Sequence, residues 1–198
     1  MLEVASIIIA YLLGSFPAAY IIARHQKGID IREVGVRNMG GGNVIREVGK
    51  LPGFFAVIAD IGKGALAVAI AGWLGVSLPW QLGAGAAVMF GHNYPVFLGF
   101  RGGKGIATVM GVFFLLSPFA MLCTTALIGL VLIVHRNFLV GVEVSSPFFL
   151  LFIWIFEGIG PMFYLGSFIF CFQLFRSRAR LKEIAGLSAD LSRMLKRS

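Results

Sequence analysis

Long apolar runs separated by short polar segments dominate the pattern of this chain. Five stretches are largely apolar: 4–23, 52–76, 78–100, 105–134 and 138–175. A helix needs about 20 apolar residues to cross a hydrocarbon core that is about 30 Å thick. Runs of this length therefore predict helices that lie in a membrane.

The last two runs are too long for a single crossing each. Ser117-Pro118 interrupts the fourth run, and the glycine- and proline-containing segment 158–161 interrupts the fifth. Proline has no N–H to donate within a helix, so both segments predict helix ends. Splitting both runs gives seven helical segments, of which 105–117 is too short to cross fully, and leaving them whole gives five. We favour seven, because this number also places Arg136 on the same side as the other basic segments.

The first run has two interpretations, a cleaved signal peptide or a retained helix. Signal peptides normally begin with positively charged residues. The residues before this run are Met1, Leu2 and Glu3, and the run itself contains Gly14 and Pro17. We therefore predict a retained helix over 4–23.

Composition supports a membrane location and adds an orientation. Hydrophobic residues make up 58% of the chain and charged residues 13%, whereas soluble domains are about 25% charged. Most of the 17 Lys and Arg residues lie in 24–50, 101–104 and 176–198. Under the positive-inside rule these segments face the cytoplasm and the N terminus lies outside. The net charge of +8 then needs no nucleic acid to explain it, and anionic lipid is the expected partner of these segments.

The predicted fold is therefore an all-α polytopic membrane protein, with one membrane domain over 1–175 and a basic tail over 176–198. In the tail, apolar residues recur every three or four positions, which predicts an amphipathic helix in the headgroup region or, alternatively, a solvated helix. The polar segment 24–50 is too rich in glycine to be helical throughout. It predicts a structured or re-entrant cytoplasmic loop containing Gly28, Gly35, Gly40, Gly41, Gly42 and Gly49.

The segment Gly102-Gly103-Lys104-Gly105 carries the clearest chemistry. Glycines directly before a helix let backbone N–H groups approach an anion, and the helix N terminus and a lysine add positive charge. It is not a Walker A loop, because Gly105 stands where Ser or Thr would coordinate magnesium. The spacing alone leaves two interpretations, a phosphate site or a tight turn whose lysine reaches the membrane surface.

The glycine-rich segment supplies a second set of polar candidates. Arg46 has the guanidinium geometry for a bidentate pair with phosphate. Asn38 and Asn43 can donate amide hydrogens to phosphate or hydroxyl oxygens, or can serve ordinary turns. Both clusters fall on the same predicted membrane face, so the two can converge.

Two charged residues lie inside the second apolar run. Asp60 and Lys63 are spaced i, i+3 on one face of the predicted helix. Charges within a span usually face an interior site, but an ion pair that braces the helices is the simpler interpretation. Two cysteines and three scattered histidines give no spacing for a metal site, so we expect no metal and no cofactor. A literal His-x4-Asp at His25 and Asp30, which resembles the signature of one class of glycerolipid acyltransferases, is best explained as chance.

Taken together, these stretches resemble the bacterial acyl-phosphate:glycerol-3-phosphate acyltransferases, the PlsY family. The resemblance runs from about Ala10 to Phe175 and is most specific from Gly91 to Thr108. Further matches are Asp30-Ile31-Arg32, Gly35, Asn38, Gly40, Asn43, Arg46, Asp60, Lys63 and Gly64.

The resemblance implies a seven-helix enzyme of the cell inner membrane that functions in phospholipid biosynthesis. Such an enzyme transfers a fatty acyl group from acyl phosphate to the 1-hydroxyl of sn-glycerol 3-phosphate, giving lysophosphatidic acid and phosphate. Its site faces the cytoplasm and uses no metal, and its partners are the two substrates and membrane lipid. Asp60 and Lys63 become structural residues near the site. The candidate substrate- and phosphate-binding residues are Asn38, Asn43, Arg46, His92, Gly102, Gly103, Lys104 and Gly105.

The chain also departs from the family pattern at several functional positions. Serine is replaced at Val36 and Leu139, and the histidine and asparagine of the last motif become Ser177 and Arg180. These departures keep a second function open, a catalytically silent paralogue that binds an anionic lipid or acyl phosphate and regulates a partner. A channel or transporter ranks last, because no inverted repeat is visible.

Overall fold

The regular elements of the chain are helices. A computed structural model describes residues 1–135 and 138–176, without the side chains of residues 135, 138–140 and 143. A 3-10 turn, Val96–Leu98, follows the fifth helix. The elements of this described part are α1 (Leu2–Ser15), α2 (Ala18–Lys27), α3 (Gly41–Glu47), α4 (Lys50–Trp73), α5 (Leu78–Asn93), α6 (Ile106–Leu116), α7 (Pro118–His135), α8 (Phe138–Glu157) and α9 (161–176).

The two predicted interruptions of the long runs are confirmed. α6 ends before Ser117, and Pro118 begins α7. α8 ends at Glu157, and α9 begins at residue 161. The Ser117 hydroxyl donates a hydrogen bond to a Glu157 carboxylate oxygen at 2.8 Å. The two helix breaks therefore lie side by side at one end of the bundle.

Two other predicted helices are shorter than expected. The run 4–23 is not one helix, because the chain bends at Phe16, which is extended (φ −61°, ψ 118°). A residue before proline is disfavoured in the helical region, and Pro17 follows Phe16. The run 78–100 forms a helix only as far as Asn93. Pro95 explains that earlier end in the same way, since it disfavours a helical Tyr94.

Length and surface both fit a membrane environment. Within the described residues, two helical stretches are long and apolar enough to cross a bilayer by length and composition: Leu2–Lys27, counted across the bend, and Lys50–Trp73. Large apolar side chains lie on the outer surface, with Trp73 and Ile133 both 78% exposed. Lipid rather than water is the favourable neighbour for such a surface.

Close helix packing positions the elements that carry the polar residues. α1 and α5 approach each other at Gly91, where a Cβ would overlap the Tyr11 carbonyl. α4 and α6 approach at Gly64, where a Cβ would overlap the Thr108 carbonyl. In lipid there is no hydrophobic driving force for helices to associate, so their contact depends on close packing, which small residues allow. α8 packs on α6 through an edge-to-face pair of Phe113 with Phe149, with ring centroids 4.7 Å apart.

The described parts of the predicted basic segments meet at one end of the bundle, which we call the polar end (residues 28–49, 94–105 and 173–176). Here the glycine-rich segment is a structured loop, as expected, and Ile31, Met39 and Val44 form a small buried core with α2 and α4. α9 returns to the same end, where Arg176 donates to the Gly103 carbonyl. The predictions for Arg136, Ser177, Arg180, the Leu139 side chain and the amphipathic tail lie outside the described residues.

Candidate active site

The Gly-Gly-Lys-Gly segment folds back against the end of α5. The Gly103 N–H donates to the His92 carbonyl at 3.1 Å. A Cβ at position 102 or 103 would overlap His92 atoms, so only glycine fits there. Gly105 has a left-handed φ of 81° and is the N-cap of α6. We call residues 102–105 the glycine turn, and its backbone leads directly into a helix N terminus.

α9 holds the glycine turn from the other side. Gln173 Nε2 donates to the Lys104 carbonyl at 2.6 Å. Arg176 donates to the Gly103 carbonyl at 3.1 Å, and its guanidinium lies 5.1 Å from the centroid of the Tyr94 ring. Two consecutive carbonyls of the turn are therefore engaged by α9.

This arrangement is suited to an anion. The first N–H groups of a helix have no carbonyl partner within that helix, and the helix dipole adds partial positive charge there. At α6 these N–H groups follow the glycine turn, and the half-buried Lys104 belongs to the same turn. Because the carbonyls of residues 103 and 104 are hydrogen bonded to α9, the negative ends of these peptide groups are neutralised. The turn can hold a phosphate group.

The glycine-rich loop is organised around one buried amide. Asn43 is 2% exposed. Its Nδ2 donates to the carbonyls of Ile31, Val34 and Asn38 at 2.9, 3.1 and 3.1 Å, and its Oδ1 accepts from the Val36 N–H at 3.1 Å. This side chain is engaged on both its nitrogen and its oxygen by the loop backbone. Asn43 therefore orders the loop, which is the turn role that its residue type allowed.

The other candidates of this loop lie at its surface. Arg46 is exposed in the last turn of α3, and Asn38 is half-buried with its carbonyl bonded to Asn43. Arg37 is exposed and has a left-handed φ of 51°. A non-glycine residue in this region is strained by about 1 kcal/mol or more. Of the two asparagines and Arg46, only Arg46 presents an exposed side chain to a ligand.

Arg32 joins the loop to the segment before the glycine turn. Its guanidinium donates to both Asp30 carboxylate oxygens, the closer contact being 2.7 Å, and to the Leu98 carbonyl at 2.9 Å. It also lies over the Tyr20 ring, 5.2 Å from the centroid. The Arg32 hydrogen bonds lower the pKa of the Asp30 carboxyl, against the opposing effect of partial burial. The predicted convergence of the two segments therefore occurs through Arg32.

Arg101 and Glu33 form a second link between the loop and the segment before the glycine turn. Their side chains lie 3.0 Å apart, but both are more than half exposed.

His25 and Asp30, which have the His-x4-Asp spacing, have different environments. His25 is exposed, whereas the Asp30 carboxylate is engaged by Arg32. The His-x4-Asp spacing thus forms no catalytic pair, which agrees with its interpretation as chance.

Three ionisable residues lie buried beneath the glycine turn. Asp60, Lys63 and His92 are 3%, 6% and 2% exposed. Lys63 Nζ lies 2.7 Å from Asp60 Oδ1, and His92 Nδ1 lies 3.3 Å from the same oxygen. The second separation fits an electrostatic contact better than an aligned hydrogen bond. His92, a candidate phosphate ligand, is thus placed behind the turn, between it and the ion pair.

Comparison with known proteins identifies the family. The family model described as glycerol-3-phosphate acyltransferase matches residues 4–186. The chain belongs to this glycerol-3-phosphate acyltransferase family. The match extends over the loop, the buried ion pair, the glycine turn and the last helix.

Curated relatives of the acyltransferase family share nearly half of their aligned residues with this chain. Glycerol-3-phosphate acyltransferase 2 of Dehalococcoides mccartyi is 49% identical over 118 residues, which cover 60% of this chain and 56% of that protein. The glycerol-3-phosphate acyltransferase of Endomicrobium trichonymphae is 43% identical over 141 residues, or 71% of each chain. The chain thus spans little more than half the length of the Dehalococcoides relative in this match.

Solved acyltransferase structures share the fold almost throughout. A crystal structure of PlsY, an integral membrane glycerol 3-phosphate acyltransferase, in its glycerol 3-phosphate form has a TM-score of 0.86 and 31% identity. The match covers 93% of this chain and 92% of that one. The lysophosphatidic acid form of PlsY gives a TM-score of 0.84 at 30% identity. The predicted polytopic, all-α membrane fold is therefore confirmed.

Sequence reasoning missed several residues that hold the glycine turn and the loop in place. Arg32 was noticed only as part of a family match, and Gln173 and Arg176 were not identified as site residues. One signal was available, since Gln173 is a polar side chain in the apolar run 138–175. Arg176 gave no such signal, because it stands at the start of a basic tail.

Proposed function

We propose that this protein transfers a fatty acyl group from acyl phosphate to the 1-hydroxyl of sn-glycerol 3-phosphate. The products are lysophosphatidic acid and inorganic phosphate. The observation that carries this proposal is the glycine turn, which is held on one side by α5 and on the other by α9. Family membership adds the reaction class, because the matched relatives are glycerol-3-phosphate acyltransferases by name.

The two substrates each bring a phosphate group to the polar end. We assign the phosphate of the acyl donor to the glycine turn with Lys104, and we place Arg46, on the exposed face of the loop, as the second cation. A guanidinium can bind phosphate through two parallel hydrogen bonds, whereas a lysine acts as a point charge. Arg37 is an additional exposed cation on the same loop.

The reaction itself needs orientation more than activation. The 1-hydroxyl oxygen of the acceptor attacks the acyl carbonyl carbon, the bond from that carbon to the phosphate oxygen breaks, and the hydroxyl proton leaves on the released phosphate. Acyl phosphate is already an activated donor, so holding both phosphates in register lowers the barrier. Positive charge at the turn stabilises the negative charge that develops on the departing phosphate.

The acyl chain of the donor needs an apolar surface near the turn. An open apolar groove of about 330 Å³ lies between α1 and the 3-10 turn, lined by Ile9, Leu12, Leu13, Phe16 and Phe97. The 3-10 turn directly precedes the polar segment that leads to the glycine turn. We place the donor chain along this groove, with its phosphate at the polar end.

The location of the site follows from the charge pattern. We place the protein in the cell inner membrane, with the polar end in the cytoplasm, because basic segments are retained there. We propose that membrane lipid surrounds the single domain over 1–175 and that anionic headgroups are the partner of the basic tail over 176–198, whose first residue, Arg176, also ends α9. The proposed reaction uses no metal and no cofactor.

Acyl transfer by the purified protein in lipid tests the function. Palmitoyl phosphate and labelled glycerol 3-phosphate should give labelled lysophosphatidic acid, and Lys104→Ala should lower kcat/KM by about 100-fold. Lys50→Ala, which removes an exposed lysine at the start of α4, is the matched control and should remain near wild type. Wild-type turnover no higher than that of Lys104→Ala would contradict the enzyme and leave the silent paralogue.

Restoring the family's polar groups tests whether the replaced positions limit catalysis. The Val36 backbone N–H, not its side chain, is bonded to Asn43. Serine therefore fits at position 36 without loss of that contact. Val36→Ser with Ser177→His and Arg180→Asn should raise activity if the replaced groups weaken substrate binding, since each hydrogen bond to a charged group contributes about 1.5–3 kcal/mol. Unchanged or lower activity would mean that this chain uses its own residues at these positions.

A further inference from the structure

We infer that His92 is a positioning residue for the glycine turn and that it acts as the last member of a chain of contacts, in which the Phe16 carbonyl is followed by the buried side chains of Lys63, Asp60 and His92. The inference rests on the proposed function, because it assigns this chain the task of placing the phosphate-binding backbone. In this role the buried charges of Asp60 and Lys63 position the turn as well as brace the helices. His92, which the sequence predicted to bind phosphate, instead supports the backbone that does so.

The chain starts where the first helix is broken. Phe16 is extended before Pro17, so its carbonyl lies outside a regular helix. Lys63 Nζ donates to that carbonyl at 3.2 Å and lies 2.7 Å from Asp60 Oδ1. Lys63 thus ties the break between α1 and α2 to α4.

Asp60 connects this pair to α5. Its Oδ1 atom faces Lys63 Nζ and, at 3.3 Å, His92 Nδ1. The carboxylate lies beside the Nδ1 edge of the ring without an aligned hydrogen bond, and this electrostatic contact restrains the orientation of the ring. Burial makes the arrangement rigid, because moving any one of these groups would leave the others buried without a charge partner.

His92 touches the glycine turn in two places. Its carbonyl accepts the Gly103 N–H at 3.1 Å. Its ring is packed against Gly103 so closely that a Cβ at that position would overlap Nε2. The Nε2 atom therefore faces the turn backbone, and the ring is a support under the turn.

The functional consequence is a fixed position for the Gly103 peptide. The Gly103 peptide is bonded to His92 through its N–H and to Arg176 through its carbonyl. A misplacement of about 1 Å can cost on the order of 100-fold in rate. Loss of the ring support should therefore weaken binding of the substrate whose phosphate lies at this turn. Binding of the other substrate should change little.

His92→Asn is the central variant. The asparagine amide nitrogen occupies about the position of Nδ1 and can still face Asp60, but the part of the ring that supports Gly103 is lost. We expect the KM for palmitoyl phosphate to rise roughly 10-fold and the KM for glycerol 3-phosphate to change less than about twofold. The double variant Asp60→Asn/Lys63→Met removes both buried charges together, so that neither is left unpaired, and should show the same selective rise.

A matched control separates positioning from stability. Thr124 is a buried polar residue of α7 whose hydroxyl donates to the Ala120 carbonyl at 2.7 Å. Thr124→Ala should lower the thermal stability and leave both KM values unchanged. Wild-type KM values in folded His92→Asn and in the double variant would overturn the inference, since a purely bracing role predicts that result.

Binding of inorganic phosphate distinguishes this inference from the proposed function. Phosphate should raise the Tm of the wild-type protein in lipid, and the shift should be smaller for His92→Asn. This readout needs no turnover. If the wild-type protein is inactive but phosphate raises its Tm, and this rise is lost in His92→Asn, the acyltransferase proposal is contradicted and the positioning role stands. If phosphate raises the Tm of both proteins equally, or does not raise the Tm of the wild type, the positioning role is overturned.

Discussion

The glycine-rich loop and the glycine turn are both polar backbone segments at one end of the bundle, but they are held in opposite ways. The loop is organised from within by one side chain, Asn43, which contacts four of its backbone groups. The turn is held from outside by side chains and backbone of distant elements, among them His92, Gln173 and Arg176. We expect a segment whose backbone depends on one buried amide for four contacts to fail at that position, and a segment with several external supports to lose function gradually.

The largest expected effect is therefore at Asn43. Asn43→Asp keeps the size of the side chain and the oxygen that accepts from Val36, but it puts an acceptor against three carbonyls. Each buried polar group left without a partner costs about 1–3 kcal/mol. We expect acyl transfer to fall by about 100-fold or more and hydrogen exchange over residues 28–40 to accelerate.

Asn38→Ala is the control for this change. It removes an amide side chain from the same loop but leaves the Asn38 carbonyl that Asn43 uses. Exchange over the loop should stay near wild type. If Asn38→Ala and Asn43→Asp were equally damaging, the loop would not depend on a single internal support.

The next effect is expected at the link between the two segments. Arg32→Lys keeps the charge but removes the planar guanidinium. This group contacts Asp30 and the Leu98 carbonyl at the same time and lies over the Tyr20 ring. An Arg-to-Lys change at such a site is not conservative. We expect kcat/KM to fall by about 10-fold, as for the loss of about 1.4 kcal/mol.

Arg101 provides the comparison for Arg32. Its pair with Glu33 joins the same two segments, but both partners are exposed. Exposed ion pairs contribute about 0–1 kcal/mol. Arg101→Ala should therefore lower kcat/KM by less than about fivefold, and a larger loss than that of Arg32→Lys would show that the surface pair is the effective link.

Smaller effects are expected for the two supports of the glycine turn that come from α9. Gln173→Ala removes one hydrogen bond to a carbonyl, and Arg176→Ala removes another together with the contact to Tyr94. Single losses of about 1 kcal/mol predict roughly fivefold lower kcat/KM. The double variant should lose more than the product of the two, because each remaining support limits the damage of the other loss. A strictly multiplicative double variant would contradict shared support.

The smallest effect concerns acid pH. The folded-state pKa of Asp30 is lowered by Arg32, so the carboxylate stabilises the fold above the unfolded pKa of about 3.8. That contribution is lost as pH falls through the lower folded pKa. Thermal unfolding between pH 5 and pH 3 should show a steeper loss of Tm for wild type than for Asp30→Asn. Parallel curves would mean that the Asp30–Arg32 pair does not contribute to stability.

Much of the fold could be predicted from the sequence, because the signals were local. Proline and glycine marked the breaks at Ser117-Pro118 and 158–161, and the basic segments indicated which ends share a face. The break at Phe16-Pro17 was missed because the run 4–23 has the length of one span, although Pro17 was visible. A proline inside an apolar run lacks the N–H that a helix needs, so it is stronger evidence for a helix break than the length of the run is for a single helix.

The site was harder to predict, since its contacts join residues far apart in the chain. The glycine turn could be predicted from its residue types, and its phosphate-binding role stays a prediction, but the burial of His92 follows from the turn folding back over α5. Nothing in the sequence near His92 indicates that packing. The same holds for Arg176, whose contact with Gly103 depends on α9 returning to the polar end.

The central claim is that the glycine turn binds the phosphate of the acyl donor. A structure of the protein in lipid with a non-hydrolysable palmitoyl phosphonate tests it most directly. We predict phosphonate oxygens within hydrogen-bonding distance of the backbone N–H groups at the start of α6 and of Lys104 Nζ, with the chain along the groove beside Phe97. A phosphonate bound away from residues 102–106, with the turn unoccupied, would contradict the account.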